Sequence, residues 1–112
     1  MRAKEEQEAD KLMSDAKALA EAGCFAIVLE KVPAKLAAMV TAEVPVPTIG
    51  IGAGGATDGQ ILVVADMLGM TKGFSPRFLR RYADLNSIMT DAIGNYVSDV
   101  KSSDFPNESE SY

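Results

Sequence analysis

Three short apolar runs without polar alternation constrain the fold of this chain most strongly. They span residues 25–30, 48–52 and 61–65. Unbroken apolar runs of this length are typical of strands that are covered on both faces, as in parallel sheets. Amphipathic segments alternate with the runs, and this order favours an α/β protein with a parallel sheet. A length of 112 residues allows at most one domain.

Four segments show the pattern of amphipathic helices. Pro33 and Ser75-Pro76 are signals for a helix start, and Gly23 is a signal for a helix end. The predicted helices cover residues 3–22, residues 33–43, a segment from Ser75 and residues 86–101. In the second helix, Leu36, Met39 and Val40 face inward, and the third carries Phe78, Leu79 and Tyr82. The fourth has an apolar stripe of Met89, Ile93, Tyr96 and Val100. In the first helix, Leu12, Ala16 and Leu19 form the inner stripe. A polar tail over residues 102–112 is expected to fray.

The link between the second and third apolar runs leaves two structural alternatives open. It holds about eight residues, whereas a regular crossover between parallel strands needs a dozen or more. Either an extended loop joins two strands, or residues 61–65 form a short helix capped by Asp58. The β-branched content of the third run favours the strand.

Charge and composition exclude several classes of function. The net charge of −5 argues against nucleic-acid binding, which needs a basic surface. The chain has no histidine, which removes Ser-His and Cys-His nucleophile pairs. Its single cysteine, Cys24, cannot form an intrachain disulfide and is expected to be a small buried hydrophobe. The charged first residues do not resemble a secretory signal, and no apolar run has the length of a membrane span. These features predict a cytosolic protein.

The carboxyl ends of the predicted strands meet at one rim, where catalytic groups of α/β proteins cluster. Glu30, the loop Gly52–Gly55 and Asp66 would lie there. A carboxylate partly stripped of water at this rim could act as a general base, although an acidic strand end can also simply meet solvent. Asp66 alone is not a metal site, and Asp58 is expected to have a structural role.

The stretch Gly50–Gly55 matches the spacing G-x-G-x-x-G. A dinucleotide site requires a helix to begin at the third glycine, but here an apolar run follows. The spacing therefore does not predict dinucleotide binding. A phosphate-binding loop of the kind found in barrels is the better functional alternative, and a tight turn is the structural one.

Three groups of segments together resemble one enzyme family, ketopantoate hydroxymethyltransferase. The first is Glu21–Glu30 with Val32-Pro33. The second is Pro47–Gly54 followed by Asp58-Gly-Gln60-Ile-Leu-Val. The third is Phe78–Leu85 with the closing Asp99-Val-Lys and Phe105-Pro106. The resemblance runs over nearly the whole chain in one register and is therefore more specific than any single motif.

The resemblance implies a (β/α)8 TIM barrel of the phosphoenolpyruvate/pyruvate type that assembles into homo-oligomers, typically decamers, in the cytoplasm. It implies hydroxymethyl transfer from the co-substrate 5,10-methylenetetrahydrofolate to 3-methyl-2-oxobutanoate, giving 2-dehydropantoate for pantothenate and coenzyme A biosynthesis. In the family, Mg²⁺ binds the keto acid, and the glutamate that closes the V-L-E run accepts the proton. The matching residue here is Glu30.

Differences from the family pattern predict an incomplete barrel, because a TIM barrel takes about 250 residues. The resemblance makes residues 1–101 the C-terminal portion of the barrel. The earlier strands, which supply the magnesium carboxylates and a lysine near the substrate, have no counterpart, so no metal site is expected here. Ala65 and Glu110 stand where many members have histidine, and Lys31 where many have cysteine. We expect the isolated chain to be inactive. The alternatives are a non-catalytic oligomerisation or binding module, and a barrel enzyme that binds phosphate with Gly52–Gly55.

Overall fold

The computed structural model describes residues 5–73 and 75–112. Contacts divide the chain into two compact units, Met1–Leu62 and Val63–Tyr112. The first two residues of the helix predicted over 3–22 lie outside the described residues. None of the helices in the described part of the chain is long and apolar enough to cross a membrane.

The first unit contains a three-stranded parallel sheet. Its elements in chain order are α1 (Glu6–Glu21), β1 (Ile27–Glu30), α2 (Ala34–Glu43), β2 (Thr48–Ile51) and β3 (Gly59–Gln60). Strand β2 lies between β1 and β3, and both pairings are parallel. The predicted α/β arrangement with a parallel sheet is therefore confirmed.

The hydrophobic core of this unit joins both helices to the sheet. Ala16 of α1 and Ile27 and Leu29 of β1 belong to it. The full set of buried hydrophobic residues among those described is Ala16, Ile27, Leu29, Val32, Leu36, Ala37, Val40, Val44 and Ala53. Two residues predicted to face inward do not: Leu19 is 45% exposed and Met39 is 57% exposed. In α2, Ala37 is instead fully buried.

The end of α1 follows the glycine signal in the sequence. Gly23 has a φ of +103°, a conformation that costs other residues more. Its N–H donates to the carbonyl of Ala20, and the Cys24 N–H donates to Leu19. This is the Schellman motif, which satisfies carbonyls at the helix end. Cys24 is half-buried rather than buried.

The strand predicted over residues 61–65 is wrong. Strand β3 ends at Gln60, and the Ile61 N–H makes the last bond to β2, 3.0 Å from the Gly50 carbonyl. The chain then forms a four-residue helix, α3 (Val64–Met67), which begins after Val63 and not at Asp58. The Val63 carbonyl accepts from two amides of this turn, so this backbone is helical despite its β-branched residues.

The second unit holds α3 and the long helix α4 (Leu85–Lys101). The helix predicted over 86–101 is thereby confirmed. The helix predicted from Ser75 is wrong, because only one turn forms, from Pro76 to Leu79. The N–H groups of Tyr82, Leu85 and Asn86 instead donate to carbonyls at the end of α3 and just beyond it, at Met67, Leu68 and Gly69. The basic residues Arg77, Arg80 and Arg81 therefore do not share a helix.

The apolar stripe of α4 lies open. Ile93 is 63% exposed and Tyr96 56%, and none of the seventeen described residues of this helix is buried. The tail is more regular than a frayed end, because the ring of Phe105 packs edge-on against Tyr96 at 5.7 Å between centroids. Asn107 then caps a short 3-10 helix, Glu108–Glu110.

Candidate active site

Glu30 stands at the carboxyl end of β1, as the sequence predicts. Burial alternates along this strand, so Ile27 and Leu29 enter the core while Val28 and Glu30 lie on the opposite face. Glu30 pairs in register with Ile51 of β2. Register partners of a parallel pair point to the same side of the sheet. The carboxylate therefore shares its face with Ile51 at the edge where both strands end.

The face of the sheet that carries Glu30 is apolar yet open. Val28 is 54% exposed, and its register partner Ile49 is only partly buried, as is Ile51. The side chain of Glu30 is itself exposed. The described residues thus do not exclude water from the Glu30 carboxylate, as a general base at this rim would require. Apolar faces of parallel sheets are normally covered by other parts of a protein, so this open face has the character of an interface.

A constrained turn follows Glu30. Lys31 has a φ of +53°, which is uncommon for a residue other than glycine. Its N–H donates to the carbonyl of Ile51 at 2.9 Å, so the turn remains attached to β2. The next residue, Val32, is buried in the core. The hydrogen bond from Lys31 to β2 and the burial of Val32 therefore fix the position of Glu30.

The glycine-rich loop begins at the same edge, directly after Ile51. Gly54 has a φ of +80° and lies so close to Ala34 that a Cβ would stand 2.5 Å from the Ala34 Cβ. The side chain of Gln60 donates to the Gly54 carbonyl at 2.7 Å and to the Thr57 hydroxyl at 3.1 Å. The loop leads into β3 and not into a helix, which agrees with the sequence-based rejection of a dinucleotide site.

Asp58 has a structural role, but it bonds to the first residue of β2 and does not cap the short helix α3. Its carboxylate accepts from the backbone N–H of Thr48 at 2.8 Å, and its own N–H lies 3.3 Å from the Thr48 hydroxyl. Thr48 is fully buried, and its hydroxyl also lies 2.7 Å from that of Thr41. Because Thr48 is the first residue of β2, this network lies at the strand end opposite to Glu30. The sequence pattern pointed to Asp58 but not to the two threonines.

Asp66, the third candidate for the rim, belongs to the second unit, where it lies in the first turn of α3 and is partly buried. The first unit alone holds Glu30 together with the glycine-rich loop. Across the described residues, no group of three or more His, Cys, Asp or Glu side chains is placed to hold a metal ion. The donor set of these residues therefore does not fit a magnesium site.

A parallel sheet with an open apolar face and an acidic residue at its carboxyl edge is compatible with part of a TIM-barrel enzyme. The family model for ketopantoate hydroxymethyltransferase matches residues 1–108. The chain belongs to this family of transferase enzymes, which confirms the resemblance stated from the sequence.

Curated relatives agree with this assignment. A 3-methyl-2-oxobutanoate hydroxymethyltransferase of Phocaeicola vulgatus is 69% identical over 112 residues, and one of Bacteroides thetaiotaomicron is 67% identical. A third, from Flavobacterium johnsoniae, is 64% identical. Each match covers all of this chain but 41% of the relative, so the chain spans about two fifths of the length of these relatives.

Proposed function

We propose that this chain forms the C-terminal part of a TIM-barrel ketopantoate hydroxymethyltransferase, with Glu30 as the proton acceptor. The complete enzyme transfers the one-carbon unit of 5,10-methylenetetrahydrofolate, as a hydroxymethyl group formed with water, to 3-methyl-2-oxobutanoate and releases 2-dehydropantoate and tetrahydrofolate. The isolated chain is inactive. The family and its named relatives support the reaction class, and the position of Glu30 supports the assignment to this residue.

The observation that carries the proposal is the open sheet face beside Glu30. Strands of a closed barrel turn one face toward the barrel interior, which is packed with branched apolar side chains. Val28, Ile49 and Ile51 are side chains of this kind, and they share the face of Glu30. Further strands closing over this face would exclude water from the carboxylate. A less hydrated carboxylate is a stronger base, as proton removal from a carbon acid requires.

The proposed step for Glu30 is removal of the proton at C3 of the keto acid. The carbonyl at C2 makes this proton acidic, because the electron pair of the broken C–H bond moves toward the carbonyl oxygen. The carboxylate of Glu30 takes the proton, and C3 becomes the nucleophile for the one-carbon unit. Glu30 is held for this task by the pairing with Ile51 and by the turn at Lys31.

The remaining parts of the active site belong to the rest of the enzyme. Because the described residues offer no metal site, a Mg²⁺ ion would take its ligands from elsewhere in the complete protein. The folate site and the contacts that build a homo-oligomer such as a decamer likewise involve the full barrel. The complete enzyme is proposed to act in the cytoplasm.

A chimera tests the proposal. The 112 residues replace the matching segment of the Phocaeicola vulgatus relative, and the chimera is incubated with 3-methyl-2-oxobutanoate and Mg²⁺ in D2O without folate. NMR then follows the loss of the C3 proton signal. We expect the chimera to exchange this proton. The Glu30→Gln variant should exchange it at least about 100-fold more slowly, because general bases contribute factors of about 10²–10⁴.

The matched control is Glu21→Gln. Glu21 is an exposed glutamate at the end of α1, and the change removes the same charge from another element. It should leave the exchange rate unchanged. Exchange by Glu30→Gln at the rate of the unaltered chimera would refute the role of Glu30. A folded chimera without exchange would instead favour the non-catalytic alternative.

A further inference from the structure

The side chain of Gln60 ties the glycine-rich loop to the edge strand of the sheet. Its amide nitrogen donates to the Gly54 carbonyl at 2.7 Å and to the Thr57 hydroxyl at 3.1 Å. The Thr57 hydroxyl in turn donates to the Gly59 carbonyl at 2.9 Å. One amide group thus bonds two points of a loop that is otherwise rich in glycine and therefore costly to order.

The backbone of Gln60 is fixed separately from its side chain. Gln60 pairs in register with Gly50, and the following N–H, that of Ile61, donates to the Gly50 carbonyl. The loop folds back over this region, because Thr57 occupies the space where a Cβ of Gly50 would stand, with its hydroxyl at 2.7 Å from that position. Gln60 therefore holds the loop from a strand that is also paired with β2.

The start of the same loop is linked to Glu30. Gly52, with a φ of +67°, follows Ile51 directly. Ile51 is the register partner of Glu30, and its carbonyl accepts the N–H of Lys31. A change in the path of the loop would therefore shift Ile51 and, with it, the carboxylate of Glu30. The loop is further anchored by Ala53, which is 1% exposed.

We propose that Gln60 is a positioning residue for the reaction: its side-chain amide holds residues 52–57 folded back, so that Ile51 and Glu30 keep the geometry for proton removal. The proposal rests on the proposed function of Glu30. Gln60 acts through the loop and does not itself touch the substrate.

The test compares Gln60→Met and Gln60→Glu in the chimera with the Phocaeicola vulgatus relative. Methionine keeps the length of the side chain but cannot donate, and glutamate keeps its shape but offers only acceptors. We expect kcat for hydroxymethyl transfer to fall about tenfold in both variants, with KM for the keto acid changed less than about twofold. Loss of positioning lowers the rate of proton removal but leaves binding of the keto acid unchanged. The rate of C3 proton exchange should fall by the same factor as kcat.

The matched controls are Gln7→Met and Gln7→Glu, which make the same changes at an exposed position of α1. They should leave kcat and exchange unaltered. A second measurement uses the 112-residue chain and follows hydrogen exchange by mass spectrometry. The peptide covering residues 52–61, which contains the bonded amides of Asp58 and Ile61, should exchange about tenfold faster in Gln60→Met and at an unchanged rate in Gln7→Met.

The two proposals fail in different ways. Unchanged kcat and proton exchange in both Gln60 variants, with exchange abolished in Glu30→Gln, would overturn only the role of Gln60. Unchanged amide protection of residues 52–61 in Gln60→Met would also overturn it, even if the chimera were inactive. Proton exchange that survives Glu30→Gln would overturn the proposed function.

Discussion

The two compact units use apolar residues in opposite ways. In Met1–Leu62, alternation along β1 and the inner faces of α1 and α2 combine into one buried core. In the described residues of Val63–Tyr112 no hydrophobic side chain is buried, although α4 carries a regular apolar stripe. The same periodicity in sequence therefore leads to burial in one unit and exposure in the other.

This difference shows what amphipathic periodicity establishes. It predicts that a helix forms and which face is apolar, but the surface that covers that face must come from elsewhere. The first unit provides its own cover, since residues of α1, α2 and β1 belong to one core cluster. The stripe of α4 and the face beside Val28 remain exposed, because the other described residues of their own units do not bury them.

The largest effect is expected from truncating a core residue of the first unit. Leu29→Ala should lower the free energy of unfolding of this unit by about 3 kcal/mol, because Leu29 is 4% exposed and the change leaves a cavity. Ile93→Ala in α4 should cost less than about 0.5 kcal/mol, since this side chain is 63% exposed. Urea unfolding followed by circular dichroism measures both. Equal losses would mean that α4 is buried in solution.

Two glycine substitutions in the second unit should have opposite effects on its stability. Gly69 has a φ of +65°, and a Cβ there would collide with the carbonyl oxygen of Ala83. Gly69→Ala should therefore destabilise this unit by about 2–3 kcal/mol. Gly94→Ala, in the middle of α4 with open space around it, should stabilise the helix by about 0.5–1 kcal/mol. Thermal unfolding of the two variants should shift in opposite directions, and a harmless Gly69→Ala would contradict the packing of residues 69 and 83.

The sequence predicts well those elements that local signals determine. The apolar runs predicted β1 and β2, Pro33 predicted the start of α2, and Gly23 predicted the end of α1. The pattern of alternating strands and helices also placed Glu30 at the carboxyl edge of the sheet. The proposal that Glu30 acts as a base, however, comes from the family resemblance, because the strand pattern alone also fits a solvated strand end.

The two wrong predictions of secondary structure concern segments whose structure depends on hydrogen bonds to residues outside the local pattern. Residues 61–65 look like a strand, yet the turn closed on the Val63 carbonyl makes them partly helical. The segment after Ser75 looks like a helix, yet the Tyr82 N–H donates to Met67 at 2.7 Å. Capping residues and periodicity carry no information about such partners, so sequence reasoning could not identify them.

A smaller effect is expected at the amino end of the sheet. Asp58→Ala removes the acceptor of the Thr48 N–H, and Thr48 is fully buried. An unpaired buried amide costs about 1–2 kcal/mol after partial relaxation. Asp91→Ala, at an exposed position of α4, should be nearly neutral. Hydrogen exchange at the Thr48 amide provides the direct measurement, and unchanged protection in Asp58→Ala would refute this bond.

The smallest effect is a pH dependence at the start of α4. The pKa of Asp84 is lowered from its usual 3.8, chiefly by the side-chain hydrogen bond from Ser87, then by the Ser87 backbone N–H and the charges of Arg81 and Lys72. Because the pKa is lower in the folded state, this cap stabilises α4 fully above about pH 4, and the contribution is lost as the pH falls through the lowered value. Helical circular dichroism at low pH should show this loss in the unaltered chain but not in Asp84→Asn. Identical profiles would contradict the cap.

We propose that the open sheet face with Glu30 becomes an active site only when the rest of the enzyme covers it. The decisive measurement is hydroxymethyl transfer with 3-methyl-2-oxobutanoate, 5,10-methylenetetrahydrofolate and Mg²⁺, for the 112-residue chain alone and for its chimera with the Phocaeicola vulgatus relative. We predict turnover by the chimera and none above background by the chain. Turnover by the isolated chain at the rate of the chimera would refute this proposal.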